Sequence, residues 1–141
     1  MATTAKKLWD AVWTAVEAGS LDQLDELFAS DAVFRTSTTE GTGSDYAKGV
    51  LTRHVAAYPD LRREVVSEVE SADGSAIAVE LFFAGTHSGA LVHPNGQRIE
   101  PTGKKLRWRA VDKVEVRDGR IVSWSAVFDR LSLMQQLGLQ P

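Results

Sequence analysis

The sequence LRWRAVDKVEVRDGRIVSWSAVF, residues 106–128, consists of two stretches of alternating side chains with a turn between them. Charged and apolar residues alternate along the first stretch, which is the period of a β-strand with one buried face. Asp118-Gly119 then interrupts the alternation with a residue pair that is typical of a tight hairpin. The segment therefore predicts two long antiparallel strands, 106–117 and 120–128.

One residue breaks the pattern of the first strand. Asp112 has the same parity as Trp108, Ala110 and Val114, and that parity points inward. A carboxylate on an apolar face is costly unless it is paired, hydrogen-bonded or protonated. Burial raises its pKa, which is how a general acid or base near neutral pH arises. The alternative is a structural role, with Asp112 near the mouth of a cavity or bonded to a backbone amide or an arginine.

The second strand also has two different faces. Trp124, Ala126 and Phe128 share one face, which would suit the wall of a pocket for a flat apolar ligand or belong to an ordinary core. The other face carries few charges, and this predicts an interface between two copies of the chain. That face holds Ser123, Ser125 and Val127, with Val111 on the neighbouring strand.

The rest of the chain predicts helices first and strands afterwards. Helical spacing marks residues 3–18, a short segment after Ser20, and 44–58, which ends before Pro59. Strand patterns follow at 31–35, 61–70 and 75–84, with a polar loop at 36–43, a turn-rich stretch at 85–103 and a terminal helix at 131–137. This order predicts one α+β domain, residues 1–141. Three N-terminal helices pack against one curved antiparallel sheet and enclose a conical cavity.

Composition narrows the possible functions. The 141 residues contain no cysteine, which excludes disulfides, thiolate catalysis and cysteine-based metal sites. The net charge of −3 argues against nucleic acid as the main partner. No apolar run approaches the ~20 residues that cross a bilayer, and the polar N-terminus lacks a secretory pattern. We therefore expect a cytoplasmic protein that binds a small molecule and neither nucleic acid nor membrane.

Three further polar residues are candidates for the cavity. His87 lies in Gly85-Thr-His-Ser-Gly89 at the end of a strand, where it could titrate, bind substrate or stabilise the turn. His54 and Tyr46 share the third helix with apolar neighbours, and each either faces the cavity or packs in the core. His87 and His93 are a weak metal signal because no carboxylate–histidine cluster accompanies them. We expect no metal and no cofactor.

Two charged residues have competing interpretations. Arg35 shares the parity of Val33 on the first strand, which would turn it inward and allow it to pair with Asp112. Such a pair would lower the pKa of the carboxyl. Asp129 follows the last strand directly, and it either caps the terminal helix or lies at the rim of the pocket.

Several short motifs occur in an order that resembles one known family. They are Tyr58-Pro-Asp-Leu61, Gly85-Thr-His-Ser-Gly89, Pro101-Thr-Gly-Lys104, Asp118-Gly-Arg-Ile-Val122, and Phe128-Asp-Arg-Leu131 with Gln136-Leu-Gly138. Together they resemble the SnoaL-like polyketide cyclases, members of the NTF2-like superfamily, over nearly the whole chain. The resemblance implies an NTF2-like cone and a homodimer or homotetramer.

The resemblance also implies a reaction. Cyclases of this family close a polyketide ester by an intramolecular aldol step without cofactor or metal, using an aspartate on the last strand. That position falls on Ala126 here, and a polar pocket residue of the preceding strand falls on Asp112. The family's acid/base is therefore missing, and Asp112 could act as a relocated base on the neighbouring strand. Family relatives also include cofactor-independent hydroxylases and epoxide hydrolases. Epoxide hydrolases of this fold use an Asp-Arg-Asp group, and one of its aspartates would stand at the position of Ala126. The resemblance therefore favours this activity less.

These observations lead to one leading functional hypothesis. We expect a cofactor-independent enzyme that performs aldol cyclisation or isomerisation by proton transfer on a small, apolar, carbonyl-bearing metabolite. Asp112 would be the acid/base, with His87 or Arg35 polarising the carbonyl and Trp108, Trp124 and Phe128 forming the wall. The alternatives are a non-catalytic binding or dimerisation module of the same fold, which needs no base, and a SnoaL-like hydroxylase.

Overall fold

The helices and strands follow the predicted order. A computed structural model describes residues 3–93 and 95–139. The helices are α1 (Ala5–Glu17), α2 (Leu24–Leu27, after a 3₁₀ turn at Leu21–Gln23), α3 (Ser44–Ala57) and α4 (Arg130–Gln136). The strands are β1 (Phe28–Arg35), β2 (Glu40–Thr42), β3 (Arg62–Glu70), β4 (Ala76–Thr86), β5 (Leu91–Val92), β6 (Arg98–Ile99), β7 (Lys105–Arg117) and β8 (Arg120–Phe128). The α+β class and the N-terminal helices on a curved sheet are confirmed.

Three boundaries differ from the sequence prediction. β1 begins at Phe28, so the end of the predicted second helix is extended chain. The predicted loop at 36–43 contains β2, and the turn-rich stretch contains the small β5–β6 hairpin. Short strands such as these hold too few residues for their alternation to stand out from a loop. Pro94, part of a predicted turn, lies outside the described residues.

The main sheet has the order β2-β1-β8-β7-β4-β3. β7 lies between β4 and β8 and pairs antiparallel with both over most of its length. β1, however, runs parallel to β8, so the prediction of a wholly antiparallel sheet was wrong. Most of the chain separates β1 from β8, and no tight turn forces these two strands to run in opposite directions.

The Asp118-Gly119 turn fixes the register of β7 and β8. Both residues have positive φ, 54° and 76°, as the predicted two-residue hairpin turn requires. Beyond a bulge near Glu115, this register places Asp112 directly opposite Ala126. The two positions singled out from the sequence are therefore neighbours on the inner face of the sheet.

Helix α1 packs its apolar side against that inner face. Thr4 caps the helix by accepting a hydrogen bond from the Lys7 amide at 3.2 Å, and Gly19, with φ 73°, follows its end. The buried side chains recur every three or four residues: Ala5, Leu8, Trp9, Val12, Trp13, Ala15 and Val16. Trp9 and Trp13 therefore lie one turn apart on the side that meets the sheet. Within the described residues, no helix is long and apolar enough to cross a membrane.

Candidate active site

Asp112 lies in the middle of β7, with only 1% of its surface exposed. Its Oδ2 atom accepts two hydrogen bonds, from Trp9 Nε1 at 2.8 Å and from Trp13 Nε1 at 3.0 Å. Both donors come from α1, so a single helix holds one oxygen of the carboxylate from across the core. Without Asp112, both indole N–H groups would be buried without acceptors. The two hydrogen bonds therefore satisfy the indole donors and the carboxylate oxygen together.

The second oxygen of the same carboxylate is different. Oδ1 of Asp112 is buried and has no hydrogen-bond partner among the described residues. Asp112 also contributes to the wall of a cavity. A carboxylate with one fixed oxygen and one free oxygen beside a cavity can exchange a proton with a molecule bound there.

The surroundings of Asp112 raise the pKa of its carboxyl. Burial raises the pKa of Asp112 to about 6, even though the Trp9 and Trp13 N–H groups, the positive charge of Arg63 and the Trp124 N–H act in the opposite direction. Arg63 stacks over the Trp9 ring, 5.1 Å from its centroid, and forms ion pairs with Asp10 and Glu17. At pH 7 the carboxyl is therefore mostly ionised, with a pKa close enough to neutrality for general acid or base chemistry.

The cavity beside Asp112 is apolar and narrow, with a volume of about 40 Å³. Its walls include four residues that the strand alternation placed on the inner face: Trp108, Trp124, Ala126 and Phe128. Trp13, Phe34 and Phe83 complete the aromatic lining, with the Trp13 and Phe83 ring centroids 4.7 Å apart. The predicted wall is thus in place, and substrate binding by these residues stays a prediction.

A second cavity of about 90 Å³ adjoins the first. The two share Thr36, Val50, His54 and Phe128, and we call the two adjoining cavities the passage to Asp112. His54 lines both parts, as the sequence suggested. Burial and the nearby charge of Arg53 lower its pKa to about 4. His54 is therefore neutral at pH 7 and can donate a hydrogen bond without carrying charge.

His87 does not line either cavity. It is fully buried behind Tyr58, and the two ring centroids are 6.0 Å apart. Its Nδ1 atom accepts a hydrogen bond from the Thr102 amide at 3.2 Å and lies 2.9 Å from the Thr102 hydroxyl. Burial lowers its pKa. These contacts correct the catalytic assignment of His87 and support the alternative, in which it fastens the turn-rich segment.

Three other predicted site residues also lie elsewhere. Arg35 is exposed and pairs with Glu40 at 2.6 Å, because β1 buries Ala32 and Phe34 and turns the opposite parity outward. Tyr46 lines neither cavity and packs edge-on against Phe34, with ring centroids 6.5 Å apart. Asp129 caps α4 by accepting a hydrogen bond from the Ser132 amide at 3.0 Å, which was the favoured of its two interpretations.

The role of Trp9 and Trp13 was not predicted from the sequence. Both lie in the helix predicted at residues 3–18, where their spacing by itself indicates ordinary core packing. A signal was available, because a buried Asp needs donors and a buried indole N–H needs an acceptor. Among residues 3–93 and 95–139, no three metal-ligating side chains come together in a group that could hold an ion.

Comparison with known proteins agrees with this geometry. The sequence model of the SnoaL-like polyketide cyclase family matches residues 3–137. IdmH from Streptomyces antibioticus, a candidate polyketide cyclase, is 26% identical, with 97% of this chain and 100% of that chain covered and a TM-score of 0.77. AclR from Streptomyces galilaeus, a candidate hydroxylase, is 25% identical, with 97% of each chain covered and a TM-score of 0.77.

An epoxide hydrolase shares only the fold. The LEH-like enzyme of M. tuberculosis is 18% identical, with 97% of this chain and 88% of that chain covered and a TM-score of 0.71. No curated protein matches the chain significantly.

The raised pKa of Asp112 predicts how stability depends on pH. Between pH 4 and about 6 the unfolded chain loses this proton while the folded chain keeps it, so stability falls as pH rises. Relative to Asp112→Asn, the wild-type free energy of unfolding should drop by about 2 kcal/mol from pH 4 to pH 7. Urea unfolding of both proteins at several pH values measures this difference. If the free energy of unfolding of the wild type, minus that of Asp112→Asn, stays constant or grows with pH, the raised pKa of Asp112 is contradicted.

Removal of one indole donor should raise the pKa of Asp112 further. Trp13→Phe keeps most of the ring but loses the N–H that stabilises the ionised carboxylate. We expect a rise of roughly one unit, in line with a hydrogen bond to a charged group. The infrared band of the protonated carboxyl, followed against pH, reports the value. Trp108→Phe is the matched control because no hydrogen bond joins Trp108 to Asp112, and an equal shift in both variants would refute the role of the indole.

Proposed function

The chain belongs to the SnoaL-like polyketide cyclase family, and we propose that it is an enzyme that moves protons on a small, apolar, carbonyl-bearing molecule without a cofactor. The observation that carries the proposal is the asymmetric carboxylate of Asp112. One oxygen is fixed by two indoles, and the other has no hydrogen-bond partner among the described residues, in a carboxylate that borders an aromatic cavity.

In this mechanism Asp112 is the general base. Oδ1 takes a proton from a carbon next to a carbonyl, and the C–H electron pair becomes the π bond of an enolate. In an aldol cyclisation the enolate carbon then attacks a second carbonyl carbon of the same molecule, and the new alkoxide takes the proton back from Asp112. In an isomerisation, Asp112 returns the proton to a different carbon. Both outcomes restore the ionised carboxylate and need no external oxidant or reductant.

The developing enolate oxygen needs a hydrogen-bond donor. His54 and Thr36 line the inner cavity as well as the outer one. A neutral imidazole has a single N–H, so donation to the enolate requires the His54 N–H to turn from the Val50 carbonyl toward the cavity. We assign to these residues the polarising function that the sequence hypothesis gave to His87 or Arg35.

The position of Ala126 fits a relocated base. The resemblance to characterised cyclases places their aspartate at this position, directly opposite Asp112 in the β7–β8 ladder. Adjacent strands lie about 5 Å apart, so transfer of the carboxylate to β7 moves it only a short distance along the same wall. The small Ala126 side chain leaves the space in front of Asp112 free of a second carboxylate.

The size of the cavities favours a second candidate function. Volumes of about 40 and 90 Å³ are well below the several hundred Å³ typical of ligand pockets, so a large substrate requires the passage to widen. A module that binds a small molecule without turnover would fit such a pocket. The candidate hydroxylase AclR, similar over nearly the full chain, gives hydroxylation as a further alternative.

Proton exchange separates these candidates. 2-Indanone is a flat ketone with acidic α-C–H bonds, and NMR can follow its deuterium uptake in D₂O. The wild type should accelerate exchange, with a rate that rises with pH and levels off above about 6 as Asp112 ionises. Asp112→Asn should lower the enzymatic rate by at least about 100-fold.

The control for exchange is Asp118→Asn. Asp118 is exposed in the β7–β8 turn with positive φ, a conformation that asparagine tolerates, and this variant should keep the full rate. Undiminished exchange in Asp112→Asn would rule out its role as the base. Binding of 2-indanone with no accelerated exchange in the wild type would favour the non-catalytic module.

We also propose that the chain is a homodimer through the outer face of β7 and β8. Val111 and Val127 are direct cross-strand partners on this face, 41% and 62% exposed. Ser123 and Ser125 continue this face along β8, opposite Glu115 and Lys113 of β7. A two-fold interface here would bring each valine pair against its copy.

Light scattering tests the dimer. The expected mass is twice 15.4 kDa at micromolar concentration. Val127→Glu should shift the mass to one chain, because the two-fold axis would bring like charges together. Leu131→Glu, an equally exposed apolar position on α4, should leave it unchanged. A wild-type mass of one chain would overturn the interface.

A further inference from the structure

The passage to Asp112 is charged unevenly along its length. The outer cavity is lined by Thr36, Thr38, Thr39, Val50, Arg53, His54, Tyr58, Leu91, Val92, His93, Phe128, Arg130, Leu133 and Met134. That lining holds two arginines and three threonines and, among the described residues, no aspartate or glutamate. For a chain with a net charge of −3, a cavity mouth with only positive charges is unusual.

The two arginines reach the mouth from different elements. Arg53 lies near the end of α3, and Arg130 is the first residue of α4. Arg35, Arg63, Arg98, Arg107 and Arg109 all form ion pairs, whereas the other five arginines, Arg53 and Arg130 among them, form none within residues 3–93 and 95–139. Their guanidinium groups are therefore free to bind an anion at the opening.

The positive charge also acts inside the passage. The charge of Arg53 is one of the causes that hold the pKa of His54 low, so its field reaches the side chain that joins the outer and inner cavities. Further in, the aromatic walls carry no cation, and Asp112 and His54 are the ionisable groups of the described lining. A negative group would be attracted at the mouth and repelled by the ionised Asp112 at the floor.

We propose that the ligand is a carboxylic acid with an apolar body, bound with its carboxylate between Arg53 and Arg130. The planar carboxylate matches the guanidinium donors. The apolar body then runs past Phe128 and Leu133 into the aromatic cavity. This polarity fixes which end of the molecule meets Asp112. The inference names the substrate class of the proposed active site and rests on that proposed function.

A pair of small probes tests the charge preference. 3-Phenylpropanoate and 3-phenylpropanamide have nearly the same shape and differ in charge. Chemical-shift titration at pH 7.5 and low salt should show that the wild type binds the carboxylate at least about tenfold more tightly than the amide. The double variant Arg53→Gln/Arg130→Gln should lose this preference. Arg62→Gln, an exposed arginine on β3 away from both cavities, should keep it.

The titration measures binding without turnover. It therefore tests the carboxylate site independently of the proposed proton transfer by Asp112. Asp112→Asn should retain the carboxylate preference even as it loses proton exchange. Retained exchange with no preference for the carboxylate would overturn only the ligand class. Failure of the wild type to bind 3-phenylpropanoate, equal affinity for the two probes, or a preference that persists in the double arginine variant would each overturn the proposal.

Discussion

The two indole hydrogen bonds to Oδ2 of Asp112 are the constraint on which the rest of the site depends. A carboxylate at the centre of an apolar sheet would be strongly destabilising without donors, and here the donors come from a helix far away in sequence. Trp9 and Trp13 must share one side of α1, and α1 must lie across the inner face of the sheet. The position of α1 against the sheet and the ionisation of Asp112 are therefore coupled.

The hydrogen bonding of Asp112 is incomplete, and this is the feature that suggests a function. A purely structural aspartate would be expected to have both oxygens bonded, because an unsatisfied buried acceptor costs stability. Oδ1 of Asp112 lacks such a partner among the described residues, and its cavity is lined by aromatic rings. The folded chain thus maintains a destabilised group, which is a common property of catalytic carboxyls. Arg53 and Arg130 lie at the opposite end of the passage, and their positive charges would orient a ligand.

The sequence predicted those features that depend on local periodicity. Alternation along residues 106–128 placed Asp112, Trp108 and Trp124 on the inner face, and the Asp-Gly turn set the register. The sequence prediction failed for residues whose positions depend on tertiary contacts. Arg35 was assigned to the wrong face because the prediction took Val33 as inward, whereas β1 buries Ala32 and Phe34. Only the three-dimensional packing separates His87 from the cavity. The indole donors lie about 100 residues from Asp112 in sequence, a distance that no local pattern can bridge.

Neutron diffraction can observe the central feature directly, since it locates the deuterium atoms on the carboxyl and on both indoles. In a crystal equilibrated below the apparent pKa of Asp112, near pD 5, we expect a deuteron on Oδ1, with the Trp9 and Trp13 N–D groups directed at Oδ2. A deuteron on Oδ2, or indole N–D groups directed away from the carboxylate, would refute the asymmetric hydrogen bonding of Asp112.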